Sequence, residues 1–550
     1  MKKFITIYAC IFLALVISGG CKKDLNLSPK DKLSDASFWK TPGDFELAAN
    51  DFYYGLKTVG HNTDNNSDIA FGTGANQVSN GSYLPASVSS VWDDSYKQIR
   101  ATNYLLQKAE ESGLGTAIDR SVGGALFFRA YNYWNLVSKF GGVPKIDKVL
   151  DVTSEELYSP KSTQAEIFDF ILADLQEAAA KLLLQSELSE AELGKATRGA
   201  ALALRARAAL YMGTWAKYHG AGDAAKYLAI ASESAEQVVA SNEYQLYNGK
   251  GADSYKHLFI LGGDDSKEVI LARRYYANRA THNWTRELWF NAMTPTKNLA
   301  DLYLATDGRP ISQSPLFAGY GTLTSEFNNR DPRMPMTFIV PGSTIYFEGG
   351  INQPTFPGFT GSNATHTGYM LRKFLDETDD AATFRGAYDF KEFRYGEVLL
   401  ILAETLYEMN GQISDVDLNR TINLLRTRVN MPPLTNAHVG AFGLNMLEEI
   451  RRERTVELAF EGFRRDDLKR WKSAESVMTQ ALKGVNFVGT AYQQRYPGLA
   501  VGTDIQVDAQ GFIVAEQASS RQFLSKHYFD PIPLQQIQLS NGSLVQNQGW

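Results

Sequence analysis

Residues 195–218 constrain the fold of this chain more than any other stretch. They are rich in alanine, and Ala200, Leu204, Ala208, Tyr211 and Trp215 recur at three- and four-residue spacing along one helical stripe. Alanines on such a stripe let a neighbouring helix approach closely, while the aromatic rings fill the gaps between. A long helix of this kind needs partners of similar length on which to bury its face.

Those partners are legible on both sides. Thr41-Pro42-Gly43-Asp44 is a helix-start signal, followed by Phe45, Ala49, Phe52 and Leu56 at helical spacing. Trp92, Tyr96, Ile99, Asn103 and Leu106 predict a helix over 91–110. Val122, Leu126, Tyr133, Leu136 and Phe140 predict another over 117–140, stopped by Gly141-Gly142-Val143-Pro144. Further helices are expected over 163–184, 222–240, 389–410, 415–429 and 445–472. Long helices in antiparallel pairs, with an irregular period, predict a degenerate tetratricopeptide-like array. The expected class is mainly α: a tetratricopeptide-like helical-repeat scaffold with long loops and minor β-structure. Residues 60–90 and 305–365 break the helical pattern, and loops this long are functional or disordered. The last fifty residues read as irregular.

The N-terminus carries a separate message. Lys2 and Lys3 precede an apolar run from Phe4 to Ile17, then Ser18-Gly19-Gly20-Cys21. That is an export signal with a small-residue processing site, and its apolar run falls short of the roughly 20 residues of a membrane-spanning helix. Small residues before Cys21 resemble a bacterial lipobox, in which the thiol is acylated and becomes the mature N-terminus. Residues 1–20 are then a lipoprotein signal peptide and 21–40 a lipidated tether. The only other cysteine, Cys10, would leave with the signal, so no intrachain disulfide is available.

Charge excludes other classes. The formal net charge is −6. Losing Lys2 and Lys3 takes the 55 basic residues to 53 against 61 acidic ones, or −8. A broad phosphate-binding surface is not expected, so no nucleic acid is assigned as a partner. No P-loop, HExxH pair or dinucleotide-binding glycine motif occurs. Asp415, Asp417 and Asn419 open like a calcium loop, but Arg420 and Arg426 stand where Gly and Glu are required. Asp64, Asn66 and Asp68 share that opening, with Ile69 and Ala75 at the deciding positions; a structural calcium there is conceivable but unsupported, and no cofactor is assigned. The acid pairs Asp93-Asp94 and Asp466-Asp467 read as solvated rather than as a glycosidase pair. Residues 448–472 hold eight basic and seven acidic residues, which predicts a salt-bridged structural face.

Taken in order, several pieces resemble one family. They are Cys21-Lys22-Lys23-Asp24; Trp92, Tyr96, Ile99 and Asn103; Arg129-Ala130-Tyr131 leading to Pro144; and Ala196-Thr197-Arg198-Gly199. Asn329-Arg330-Asp331-Pro332-Arg333, Arg394-Tyr395-Gly396-Glu397, Arg451 through Gly462, Asp467 through Trp471, Phe529 through Pro533 and Gln546 through Trp550 complete the set. The chain is similar over nearly its whole mature length to the SusD/RagB outer-membrane nutrient-binding lipoproteins. Gly396 departs from the alanine usual there. The resemblance implies an N-terminal tetratricopeptide-like region over 41–260 with a C-terminal region over 261–550 packed on it. It also implies a surface lipoprotein, held in the outer membrane by its lipid, that captures oligosaccharide for a TonB-dependent SusC-like barrel without catalysis. Arg330, Glu457, Glu461 and Arg470 are implied to be fold-maintaining ion pairs.

Ligand residues have to be nominated from chemistry. Sugars offer flat C–H faces to aromatic rings and hydroxyls to amides and carboxylates. Tyr83 with Asp68, Asn76, Gln77 and Asn80 fits that pattern, as do Trp284 and Trp289 with Asn283 and Arg286, and Tyr320. Trp92, Trp134, Trp215 and Trp471 lie on helical stripes and are read as core, Trp39 as an anchor of the tether and Trp550 of the tail. Two alternatives stand beside glycan capture: peptide capture on the same scaffold, and, more remotely, a glycoside hydrolase.

Overall fold

The computed structural model describes residues 35, 37–60, 64–345, 353–361, 363–377 and 385–550. Cys21 and the signal segment lie outside the described residues.

The predicted helices form α1 (Pro42–Asn50), α2 (Ser90–Ser112), α3 (Asp119–Phe140), α4 (Gln164–Lys181), α5 (Arg198–His219) and α6 (Ala224–Ala240). Thr41 and Asp44 cap α1 reciprocally. Each of α2 to α6 packs on the next, and the short link from Gly220 to Asp223 makes α5 and α6 antiparallel neighbours. α5 is buried all round, from Gly199 to Ala216, rather than along one stripe. It is the central strut, with its alanines on every side.

The C-terminal part closes over that strut. Helix α7 (Tyr395–Asn410) packs on α6 and α5, α8 (Met446–Glu457) packs on α7, and α9 (Arg464–Arg470) packs on α5. Three expected helices are interrupted. Residues 390–394 are a strand, paired antiparallel with Val269–Arg273. The 415–429 stretch divides into Asp415–Asn419 and Ile422–Arg428. The 445–472 stretch breaks between α8 and α9, where Phe460 (φ 65°) and Gly462 (φ 87°) take the left-handed conformation. Short antiparallel pairs Ala70–Gly72 with Met293–Pro295 and Leu482–Asn486 with Phe512–Glu516 supply more of the minor β-structure.

Two large cores result. One joins α2–α6 to α7 and the region through Met478, and includes Trp92, Trp134 and Trp215; Trp471 is also buried. The other gathers Tyr255, Phe259, Trp284, Tyr303, Phe338, Phe460 and Phe487. Trp39 packs edge-on against Phe45 and Tyr104. The Trp550 indole donates to the carbonyls of Lys526 and Phe529, so it pins the tail.

The charge-balanced run is the salt-bridged element its spacing predicts, and most of it is interior. Glu457 is fully buried among Arg333, Arg394 and Arg428, at 3.0, 2.8 and 2.6 Å. Glu461 takes Arg394 and Lys373, each at 2.7 Å, and Arg470 takes Glu404 and Asp467. Asp467 is therefore buried and paired, contrary to the solvated reading, while Asp93 and Asp94 are exposed. Arg330 differs from its implied role: its guanidinium donates to the carbonyls of Glu326, Ala300 and Tyr303, so it gathers backbone rather than pairing with a carboxylate.

Candidate glycan-binding face

Strand Val269–Arg273 continues past its end into a tight turn. Tyr276 and Ala280 exchange backbone hydrogen bonds at 2.9 and 3.0 Å, with Asn278 at φ 64° in the tip. His282 and Gly386 exchange another pair at 2.9 and 3.1 Å, which ties this loop to the segment entering the strand Phe390–Arg394. The His282 ring lies edge-on to Tyr275 and Tyr388. Its burial pulls the imidazole down to about 4, so it is a neutral spacer.

Alternation along the extended backbone then sets the side chains. Tyr275 faces inward: its hydroxyl accepts the Val59 amide at 3.1 Å, and its own amide donates to Asp389 Oδ1 at 2.7 Å. Tyr276 faces out and is 51 % exposed. Beneath it, Arg274 pairs with Asp265 at 3.2 Å and with Asp389 at 2.9 Å, its guanidinium 5.8 Å from the Tyr276 ring centre. Burial, and then the neighbouring Asp264, push the Asp389 carboxyl up to about 7. Asp264 is meanwhile held by Lys391 at 2.5 Å. Tyr276, Arg274, Asp264, Asp265, Asp389 and Arg385 line a cleft of about 280 Å³. A tyrosine face over a carboxylate–guanidinium floor can stack on a sugar ring and bond its hydroxyls.

The residues nominated from sequence lie around this face and beyond it. Trp284 and Trp289 begin and end a six-residue helix after the Tyr276 turn. Trp284 is only 7 % exposed and belongs to the second core. Gly60 covers its indole so closely that a Cβ there would come within 2.9 Å of Cε3. Trp289 is half-buried against the small cluster of Ile339, Ile345, Met370 and Leu375. Arg286 stacks on Phe290, and Asn283 keeps a buried side-chain oxygen with no donor.

Tyr83 belongs to another neighbourhood. Its hydroxyl donates to Asp530 at 3.1 Å, and its ring packs beside His527 and Trp550. The structure therefore does not assemble Tyr83, Trp284 and Trp289 into one platform. Asp68 is buried, with both oxygens taken by Arg464 at 2.8 and 3.0 Å. Asn80 is buried against Glu516 at 2.8 Å, and Asn76 caps the short helix Gln77–Asn80, which leaves Gln77 exposed. Tyr320 is half-buried, accepts from Lys297 at 3.1 Å and packs edge-on against Phe317 and Phe512. In the calcium-like stretch, Asp64 accepts the amides of Gly462 and Arg464. No cluster of three His, Cys, Asp or Glu suited to a metal occurs among the described residues.

Tyr276, Arg274 and Asp265 are what the sequence reading missed. The available signal was Arg273-Arg274-Tyr275-Tyr276-Ala277-Asn278: a run with two aromatics leaving a strand and ending in a turn-forming Asn.

With this geometry in place, the chain can be compared with known proteins. A profile described as SusD family matches residues 262–550, and one described as starch-binding associating with outer membrane matches residues 30–210. SusD-like protein P38 of Formosa agariphila is 24 % identical over 512 residues, covering 87 % of this chain and 94 % of that one. SusD-like protein P2 of the same organism is 26 % identical over 510 residues, covering 87 % and 92 %. A solved SusD-like carbohydrate-binding protein from Bacteroides fragilis superposes with a TM-score of 0.75 at 25 % identity, covering 92 % of this chain and 99 % of that one. Surface glycan-binding protein A from Bacteroides fluxus shares the fold, with a TM-score of 0.63 at 18 % identity over 93 % and 100 %.

Proposed function

Because this chain belongs to the SusD family, as the match over residues 262–550 shows, we propose that it captures glycans at the outer-membrane surface. The glycan seats on the Tyr276 cleft and is passed, unchanged, to a TonB-dependent SusC-like barrel. The observation that carries this reading is the half-exposed Tyr276 ring above the Arg274–Asp265 pair, at the edge of a cleft lined by carboxylates and guanidinium groups. The B. fragilis relative, described as carbohydrate-binding, supports the ligand class. The description of the N-terminal profile supports association with the outer membrane. No helix among the described residues is long and apolar enough to cross a membrane, and attachment is assigned to lipid on Cys21.

Catalysis is not part of the proposal. Asp389 has the raised pKa often seen in a catalytic acid, but it is buried, with Oδ1 taking the Tyr275 amide and Oδ2 facing Arg274 Nε as an ion pair at 2.9 Å. Its work is to hold the loop that presents Tyr276. Native gels cast with soluble polysaccharides test the reading. At least one should retard the protein and be recovered at its original chain length. Free migration in every gel, or shortened chains after incubation, would refute it.

A further inference from the structure

A groove that shares no residue with the Tyr276 cleft lies between α2, the 144–159 segment and the chain around the short helix Leu534–Leu539. It holds about 410 Å³ and is lined mainly by apolar side chains, among them Tyr96 and Ile99 from α2 and Ile146 from the 144–159 segment. Leu157 and Leu539 also line it, yet they are 47 % and 63 % exposed. Apolar surface gathered around a groove in this way marks an interaction site.

Charge does not choose the occupant. The acids Asp93 and Glu156 are balanced by Arg100 and Lys148, and all four are engaged. Asp93 accepts from Gln536 at 3.1 Å, Glu156 pairs with Lys148, and Arg100 donates to the Leu150 carbonyl. The Tyr96 hydroxyl is also satisfied, donating to the Pro144 carbonyl at 2.7 Å. What the groove offers is apolar contact.

The chain brings its own candidate to this groove. The described residues begin at Asp35, and Asp35 is held on α2: its carboxylate accepts the Tyr104 hydroxyl and lies 3.2 Å from Lys108. Tyr96, Arg100 and Tyr104 follow at four-residue spacing and share one face of that helix. Asp35 is therefore fixed about 12 Å along the face from Tyr96, at 1.5 Å per residue. The ten residues 25–34 can span up to about 33 Å, more than twice that distance. They open with Leu25-Asn26-Leu27-Ser28-Pro29. In an extended chain Leu25 and Leu27 point to the same side, and Pro29 biases Ser28 toward the extended conformation. Attachment through Asp35 keeps these leucines at the millimolar local concentration of a short linker, ahead of any free partner.

We propose that the segment from Leu25 to Pro29 docks in this groove, with Leu25 and Leu27 seated against Tyr96, Ile146, Leu157 and Leu539. This docking concerns how the protein is mounted, not what it binds, and needs nothing from the glycan reading. Undocked, residues 21–34 would let the lipid assigned to Cys21 stand up to about 46 Å from Asp35. Docked, only residues 21–24 separate the lipid from the groove, a reach of about 13 Å. The face built from α2 and the helix Leu534–Leu539 then stands beside the membrane.

Two readouts on the intact lipoprotein in detergent test it. The first is cross-linking. Leu25→Cys or Leu27→Cys, combined with Leu157→Cys or Leu539→Cys, gives four double variants. At least one should close a disulfide under mild oxidation, with the linked residues read by mass spectrometry. Neither tether cysteine should close with Val416→Cys, which is exposed but outside the groove. The second is trypsin cleavage after Lys30 and Lys32. Leu157→Asp and Leu539→Asp, at exposed positions where folding is not at stake, should each speed it about tenfold, equivalent to losing roughly 1.4 kcal/mol of leucine contact. Val416→Asp should leave the rate unchanged. The proposal is overturned if none of the four pairs closes, or if Val416→Cys closes as readily. It is equally overturned if Leu157→Asp and Leu539→Asp leave cleavage at the wild-type rate, which would assign the groove to another occupant.

Discussion

Arg394 grips Glu457 twice: Nη1 donates to its carboxylate at 2.8 Å and Nη2 to its main-chain carbonyl at 2.9 Å. The same carboxylate also takes Arg333 and Arg428, so one acid joins three buried cations that Asp331, Glu453, Glu268 and Glu461 help to balance where α8 ends. Glu457→Gln would leave that positive charge undercompensated. A loss of about 3–5 kcal/mol is expected, the scale of breaking a buried pair from one side. Urea denaturation measures it; a midpoint unchanged from wild type would show that the network carries no stability.

Acid should act through the paired carboxylates. For both Asp530 and Glu404 burial raises the pKa, but arginine neighbours outweigh it and hold each at about 2. Folded values below the unfolded ones mean that the contribution is complete above about pH 4.5 and is lost as pH falls toward 2. At about 1.4 kcal/mol per unit, each contributes on the order of 2.5–3.5 kcal/mol. Denaturation midpoints between pH 7 and 2.5 should fall only in the lower part of that range. For Asp530→Asn the midpoint at pH 7 should be lower and the acid limb shallower; an unchanged limb would remove Asp530 from the account.

Trp215 tests the central strut. It is 4 % exposed, and its indole stacks on His219 with ring centres 4.0 Å apart. Trp215→Ala should cost about 3–5 kcal/mol, as for large aromatic truncations in a core. A thermal melt reads this directly, and ligand affinity of the folded protein should stay the same.

How much of this was legible follows from what each residue type encodes. Trp215 and Ala208 mark their helix because burial repeats with the helical period, and a period is a local property. Glu457 and Arg333 are conspicuous as charges, but whether such residues face water or each other depends on α8 meeting residues more than a hundred positions away. The run is accordingly legible as a salt-bridged face, but its burial is not. Trp284 carries the same side chain whether it lines a site or a core; only the approach of Gly60 decides it. Tyr276 escaped notice because its exposure depends on a turn anchored by His282 and Gly386, a pairing absent from local pattern.

The anchor is tested by chemistry on the N-terminus. Ser18-Gly19-Gly20-Cys21 predicts acylation at Cys21. Metabolic labelling with a radioactive fatty acid should mark the wild type and not Cys21→Ala; equal label on both would refute the anchor.

The central claim is that glycan stacks on Tyr276. Calorimetry with a polysaccharide that retards the wild type, repeated on Tyr276→Ala, tests it most directly. Removing one stacking ring should cost on the order of 0.5–1.5 kcal/mol, a roughly three- to tenfold loss of affinity, while circular dichroism stays native. A folded Tyr276→Ala protein that binds the polysaccharide with undiminished affinity would contradict the account.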